Sequence, residues 1–398
     1  MFSKKPNNCK YATSTVQSRA AALWALFFLL PNASLQGQPP ETVKIEFSTA
    51  EEQGETVGEI VVQDAKGNLL LRTPDGRLRD LLSVEVVTRE KSDTPMTALT
   101  QVQLFDSIKE DLPPGFAMVK KRHFVIIFNT SREYADWVGS LFERIYKGLH
   151  NYWRKKGIRL EEPRFPLVAL VFKDKNSYQK YATRDVGKNM AENTIGYYNM
   201  MSNLMVSYDL TGVNGIPIPP GRLAQQMRAN LFQPKVERTV ATVVHEAVHQ
   251  ISFNCGLQTR MADNPRWLSE GLAMYFEAPD PKSRDGWSMG SVNRHNLQRY
   301  RQAMSQRLIP PGSLEETVAS DKLIIENQRV GYPFAWALTY YLMKTKQKEF
   351  ASYLIALKKL PPLGTTNPRD KVNMFKNHFG NDLAALEVSM HKWLRTVR

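Results

Sequence analysis

The chain has 398 residues, 42% of them hydrophobic and 23% charged, a globular composition long enough for one large domain or two smaller ones; collagen, coiled coil and wholesale disorder are excluded. Lysine and arginine outnumber aspartate and glutamate by 53 to 39, and the resulting +14 fits nucleic acid, an anionic envelope surface or no specific partner equally well. The two cysteines, Cys9 and Cys255, cannot build a disulfide framework, so stability must come from a packed core.

Residues 1–37 read as a signal peptide. Lys4, Lys5, Lys10 and Arg19 precede the apolar run Ala20–Leu30, and Pro31, Asn32, Ala33 and Ser34 lead into a polar, proline-rich exit. The apolar run is too short to span a bilayer, and the four cations ahead of it argue against a buried helix. The expectation is export to the periplasm or beyond, with tethering by an uncleaved signal anchor as the alternative. Removing the segment lowers the charge from +14 to +10 and leaves Cys255 as the single thiol.

Residues 41–92 read as a small β domain. Short β-rich stretches, Gly58–Gln63 and Leu69–Thr73, alternate with the turn signals Asp64-Ala65-Lys66-Gly67-Asn68 and Pro74-Asp75-Gly76. Residues 93–115 read as a linker that carries a short helix over Leu99–Glu110 and ends in Leu112-Pro113-Pro114-Gly115. Residues 116–398 read as one further domain. Its first part, 116–233, mixes strands at His123–Asn129, Phe165–Phe172 and Asn203–Asp209 with helices at Ser131–Lys155 and Asn176–Thr183. A Pro/Gly-rich connection, Thr211–Gly221, leads to a second part, 234–398, that is almost wholly helical. The predicted fold class is α+β.

The chemistry is concentrated in Pro234–Gly256, PKVERTVATVVHEAVHQISFNCG. Pro234 suits a first helical turn, Glu237 favours its positive end, and Val240, Val243, Val244, Ala247, Val248 and Ile251 form an apolar stripe that ends near Gly256. His245 and His249 are one turn apart, so both imidazoles point the same way and can hold one Zn²⁺ at N–metal distances of about 2.0–2.1 Å. Glu246 sits where a carboxylate can reach water at such a site. Paired histidines on a core helix, or an inert metal clip, are the competing readings. Imidazoles on a valine-rich face are costly without a partner, which favours a metal.

Two histidines leave the ligand set incomplete. A metzincin has glycine three residues after the second histidine and a third histidine at six; here those places hold Ser252 and Cys255. A thiolate at Cys255 is one candidate. The better one is Glu270, in the helical-period segment NPRWLSEGLAMYFE, where Ser269 or Asn264 is suited to cap.

HEAVHQ followed by WLSEGLAMYFE resembles the gluzincin zinc metallopeptidases, and the order of elements from His123 resembles secreted bacterial peptidase-like domains of unknown function. The resemblance is strong over about 45 residues and looser elsewhere. It implies a gluzincin, thermolysin-like catalytic domain, a mixed sheet with helices followed by a helical half, with Zn²⁺ held by His245, His249 and Glu270. Glu277, seven residues after Glu270 on the same helical face, would orient a ligand histidine; an exposed helix charge is the alternative. Glu246 would serve as general base for hydrolysis of a peptide bond. Tyr332, in the segment Gly331–Leu338, would donate to the oxyanion, with His295 as the alternative donor. The strand Asn203–Asp209 would be a sheet edge that pairs with extended peptide, with an interior strand as the alternative. Gly196-Tyr197-Tyr198-Asn199-Met200 does not reproduce the amine-holding segment of the aminopeptidase members, which points to an endopeptidase; Tyr197 and Tyr198 then read as core.

The expected partner is therefore a peptide or protein substrate, with an anionic envelope surface a second candidate. Nucleic acid is not expected of an exported protein. Two other readings remain: a catalytically silent metal-binding domain for adhesion or scaffolding, and a basic module acting through Lys120-Lys121-Arg122, Arg154-Lys155-Lys156 and Lys358-Lys359. The first would not need Glu246, and in the second the clusters are short and scattered, as solvated faces usually are.

Overall fold

The computed structural model describes residues 40–50, 52–210, 234–278 and 289–398; the expected signal peptide and the connection Thr211–Gly221 lie outside the described residues. Two compact units result. One holds the described chain up to Ala135 together with Pro163–Tyr208, and the other holds Asp136–Glu162 and Asp209–Arg398. The fold class is α+β, with an all-β N-terminal part and a mostly helical C-terminal half.

In the first unit, β1 (Thr42–Ser48), β2 (Gln53–Gln63), β3 (Leu69–Arg72), β4 (Leu78–Leu81) and β5 (Val86–Lys91) form an antiparallel sheet in the order β4-β3-β2-β1-β5. Strand β1 shows why: Val43, Ile45 and Phe47 are buried while Lys44, Glu46 and Ser48 are exposed, the period-2 pattern of a half-buried strand. Its core adds Leu69, Leu71 and Leu81, with Ile60 and Val86 packed against it. Asp64 builds the turn between β2 and β3 by accepting the backbone N–H groups of Lys66 and Asn68, both at 2.8 Å. Helix α1 (Gln101–Glu110) starts where Thr100 and Gln103 form a capping box.

The second sheet contains β6 (Ala117–Lys120) and β7 (Phe124–Phe128). After them α2 (Arg132–Arg154) leads towards β8 (Leu167–Phe172), and α3 (Lys175–Val186) and α4 (Lys188–Asn193) precede β9 (Gly196–Tyr198) and β10 (Leu204–Tyr208). The order is β6-β7-β8-β10-β9, with β7, β8 and β10 parallel and both edge strands antiparallel. Strands β7, β8 and β10 are buried along their whole length, as expected of parallel strands.

The placement of β10 corrects the edge position expected of Asn203–Asp209. It lies inside the sheet because the chain before it folds back: Asn199 accepts from Met201 N–H at 2.8 Å, and Asn203 takes up φ 61°, a conformation asparagine tolerates. That hairpin returns β9 onto β10, and the three-residue β9 takes the edge. Tyr197 and Tyr198 are buried in it, with the Tyr197 hydroxyl donating to Asp185 at 2.7 Å. Strands β6 and β9 and helix α4 were not expected from sequence; each is too short to carry a periodic signal.

The second unit is built from the part of α2 that begins at Asp136 together with α5 (Pro234–Asn254), α6 (Arg266–Phe276), α7 (Arg294–Ser305), α8 (Ser313–Ala319), α9 (Lys322–Glu326), α10 (Gln328–Thr345), α11 (Gln347–Leu357), α12 (Pro368–Phe379) and α13 (Leu383–Thr396). Among the described residues no helix is long and apolar enough to cross a membrane. Helix α10 is buried on every face from Val330 to Met343, which makes it the central element of this unit. Inside it Pro333 has no N–H for the Arg329 carbonyl one turn earlier, and the Arg299 guanidinium of α7 bonds that carbonyl instead, at 3.2 Å. Helices α6 and α10 touch at Gly271, where a Cβ would lie 2.0 Å from Thr339 Oγ1 and 2.8 Å from the Ala335 carbonyl. Only glycine lets the backbones come this close. Replacing Gly271 with alanine should destabilise the protein by about 1–3 kcal/mol, read as a lower denaturant midpoint at unchanged slope.

Candidate metal centre

Two helices supply the site. On α5 the stripe Val240, Val243, Val244, Ala247, Val248 and Ile251 is at most 2% exposed, and it carries His245 and His249 inward with it. Between Val240 and Ser252 the single residue that is not buried is Glu246. The helix stops where Gly256 adopts φ 72° and the Ser252 carbonyl accepts the N–H groups of Leu257 and Gln258, at 3.0 and 3.1 Å. Gln258 then donates to Ser269 Oγ at 2.6 Å, which fastens the returning chain to α6.

The start of α6 differs from the expected cap. Neither Ser269 nor Asn264 caps it: Ser269 accepts from Gln258, and Asn264 donates to the Thr259 and Ala262 carbonyls. The cap position falls on Pro265, which has no side-chain acceptor, so the first helical N–H, that of Arg266, goes to Asp321 Oδ1 at 3.0 Å.

Helix α6 brings Glu270 to the two histidines. Its Oε2 lies 3.2 Å from His245 Nε2 and 3.9 Å from His249 Nε2, and ligand atoms of the three residues all lie within 4.8 Å of one another. Their exposures are 1%, 5% and 0% for His245, His249 and Glu270, so the three side chains are almost wholly buried. No other group of three or more His, Cys, Asp or Glu side chains among the described residues is arranged to hold a metal. Two turns after Glu270, at the end of α6, Glu277 places Oε2 2.6 Å from His245 Nδ1. Its Oε1 accepts from Asn293 Nδ2 at 2.8 Å.

Donor and acceptor arithmetic shows what the cluster needs. With Nδ1 of His245 donating to Glu277, Nε2 carries the lone pair, and it faces a carboxylate oxygen at 3.2 Å. Two acceptors at that separation require a proton or a metal ion between them. The same requirement appears in the remaining atoms, because His249 Nε2 and Glu270 Oε1 are buried with no hydrogen-bond partner. Electrostatics agree. Burial works against the charged form of His245, yet its bonds to Glu270 and Glu277 raise its pKa well above the ordinary histidine value. Burial pushes His249 down to about 4, which keeps its lone pair available. Burial also opposes ionisation of Glu270, but the bond to His245 outweighs it and holds the carboxyl below its usual range. Two imidazoles and a carboxylate converging with unsatisfied atoms fit a metal ion.

The other candidates are placed as follows. Tyr332 on α10 is 2% exposed; burial raises its pKa far above the ordinary phenol value, the negative charge of Glu270 raises it further, and a hydrogen bond from Arg266 works against both. It also lies within electrostatic reach of Glu246. His295 is exposed at the start of α7. Cys255 is outside the cluster, and burial pushes its thiol up to about 12, so it stays protonated and is no thiolate ligand at neutral pH. Sequence reasoning did not single out Arg266 or Asn293. Arg266 stands one turn before Glu270 and was visible in principle as a same-face neighbour.

Residues 239–364 match the family described as "Protein of unknown function (DUF1570)". No curated protein matches the chain. The matched stretch contains the triad, Glu246, Glu277, Asn293 and Tyr332.

Replacing Glu270 with alanine should abolish stoichiometric metal after dialysis, measured by elemental analysis, whereas Cys255→Ser should leave it unchanged. Because a metal must displace the proton that His245 otherwise holds, apparent affinity should fall as pH is lowered. In a chelator competition series, an affinity that does not change with pH would contradict this arrangement.

Proposed function

We propose that the chain is a zinc-dependent peptidase of the gluzincin type, exported and acting on peptide bonds within a chain. The observation that carries the reading is the buried triad His245, His249 and Glu270 with two unsatisfied ligand atoms, beside one half-buried glutamate on the same helix. Two imidazoles and a carboxylate are a catalytic zinc set that leaves a coordination position for water or substrate. When bound, zinc supplies a Lewis acid that lowers the pKa of water to about 7 and polarises a carbonyl.

The chain's own residues supply the rest. Glu246 follows His245 directly and is turned partly towards solvent, so its carboxylate can take the proton of an attacking water and return it to the leaving amine. Tyr332 keeps its proton at neutral pH because burial and Glu270 oppose its ionisation. An arginine can only donate, so the Arg266 bond falls on the Tyr332 oxygen and does not consume the tyrosine's own proton. That proton is the donor for the oxyanion of a tetrahedral intermediate. Export by residues 1–37 would place this chemistry at an anionic envelope, where the chain's positive balance favours association.

Purified protein should contain one zinc per chain and cleave a mixed peptide library. Glu246→Gln should keep the zinc and lower kcat by about 10²–10⁴. Tyr332→Phe should lower kcat by about 10²–10³ with KM little changed. Zinc retained together with unaltered cleavage in Glu246→Gln would exclude this mechanism, and zinc without any cleavage would favour a metal-binding scaffold.

A further inference from the structure

The two oxygens of Glu277 have different partners. Oε2 meets His245 Nδ1, and Oε1 accepts from Asn293 Nδ2 at 2.8 Å. Asn293 is 7% exposed, and both ends of its amide are engaged. Its Oδ1 accepts the N–H of Asn296 at 3.1 Å and so caps α7, while Nδ2 also reaches the Met274 carbonyl at 3.3 Å. Rotating the amide by half a turn would set NH₂ against the Asn296 N–H, and oxygen against a carboxylate and a carbonyl. Three contacts therefore admit one orientation. The amide's donor end is committed to Glu277 by the same geometry that commits its acceptor end to the helix.

We infer that Asn293 is a positioning residue of the metal centre: it holds Glu277, and through Glu277 it fixes the ring of His245 and the proton on Nδ1, so that Nε2 is aimed at the cation. The relay consists of buried groups, at 7%, 3% and 1% exposure for Asn293, Glu277 and His245, where water cannot substitute for a lost partner. Histidine ligands held from behind by a carboxylate bind metal more tightly and in one tautomer, and removing such support costs about 10–100-fold in affinity. Asn293 extends that support by one residue and ties it to the first turn of α7. Reciprocity follows: metal binding and the capped state of α7 stabilise each other.

The inference rests on the reading of the triad as a zinc site and is tested on metal affinity rather than turnover. Two variants separate the cap from the relay. Asn293→Asp keeps a strong N-cap but places a carboxylate against Glu277, and Asn293→Ser keeps a hydroxyl cap that is too short to reach Glu277. Zinc affinity is measured by competition with a chromophoric chelator, the visible spectrum of the Co²⁺-loaded protein reports ligand geometry, and thermal melting of the metal-free forms reports the cap. Both variants should bind zinc about 10–100-fold more weakly, with an altered Co²⁺ spectrum, while their metal-free forms still melt cooperatively, at a lower temperature because Glu277 has lost a buried donor. Unchanged affinity and spectrum in both would overturn the inference. So would a loss confined to Asn293→Asp, since the introduced charge alone would then account for it. Unaltered protein that binds no zinc would remove the metal reading itself. Unaltered protein that binds zinc but cleaves no peptide would remove the peptidase reading, and the role of Asn293 would still be decided by the affinities.

Discussion

His245 lies between the carboxylates of Glu277 and Glu270, at 2.6 and 3.2 Å, and all three side chains are buried. A neutral imidazole donates through one nitrogen only, so without a further proton or a metal ion on Nε2 one carboxylate would be satisfied and the other would face a lone pair. Burying that mismatch is costly. Helices α5 and α6 pack against each other and hold the three buried side chains together. Gly271 admits α10 against α6, and α10 carries the buried Tyr332 within electrostatic reach of Glu270. A positive charge added between Glu270 and the histidines would turn a liability of the fold into one of its tightest junctions.

Burial also distinguishes Glu270 from Glu246. Glu270 is fully buried and held ionised by His245, a condition suited to a fixed ligand. Glu246 belongs to α5, the helix of the two histidines, but faces partly outward, a condition suited to a group that exchanges protons with incoming molecules. Sequence order places it next to a ligand, and the helical turn of about 100° per residue places it on a different face.

The parts of the site that could be read in the chain are those governed by helical spacing. His245 and His249 are four apart, Glu270 and Glu277 are seven apart, and each pair shares a face whatever the rest of the fold does. That Glu270 belongs with the histidines came from a resemblance, because no periodicity links two helices. Asn293 had no such signal. Its Oδ1 makes a local cap that an Asn before a helical segment advertises, but its bond to Glu277 depends on how α7 returns to α6, which is decided in three dimensions. The same limit explains the strands. The apolar runs in β7, β8 and β10 announced themselves, whereas the position of β10 inside the sheet depended on a three-residue strand and an asparagine hairpin.

Among the bonds that tie helix α7 to other elements, two lie one behind the other along its length. Asn293 at its start reaches back to Glu277, and Arg299, about 9 Å further along the axis, donates to the Arg329 carbonyl, for which Pro333 has no N–H. The next helical turn of α10 carries Tyr332. Six residues of helix thus act as a ruler of fixed length between the support of the metal cradle and the helix that carries the phenol. A proline that would ordinarily weaken a helix here creates the socket into which the far end of the ruler fits.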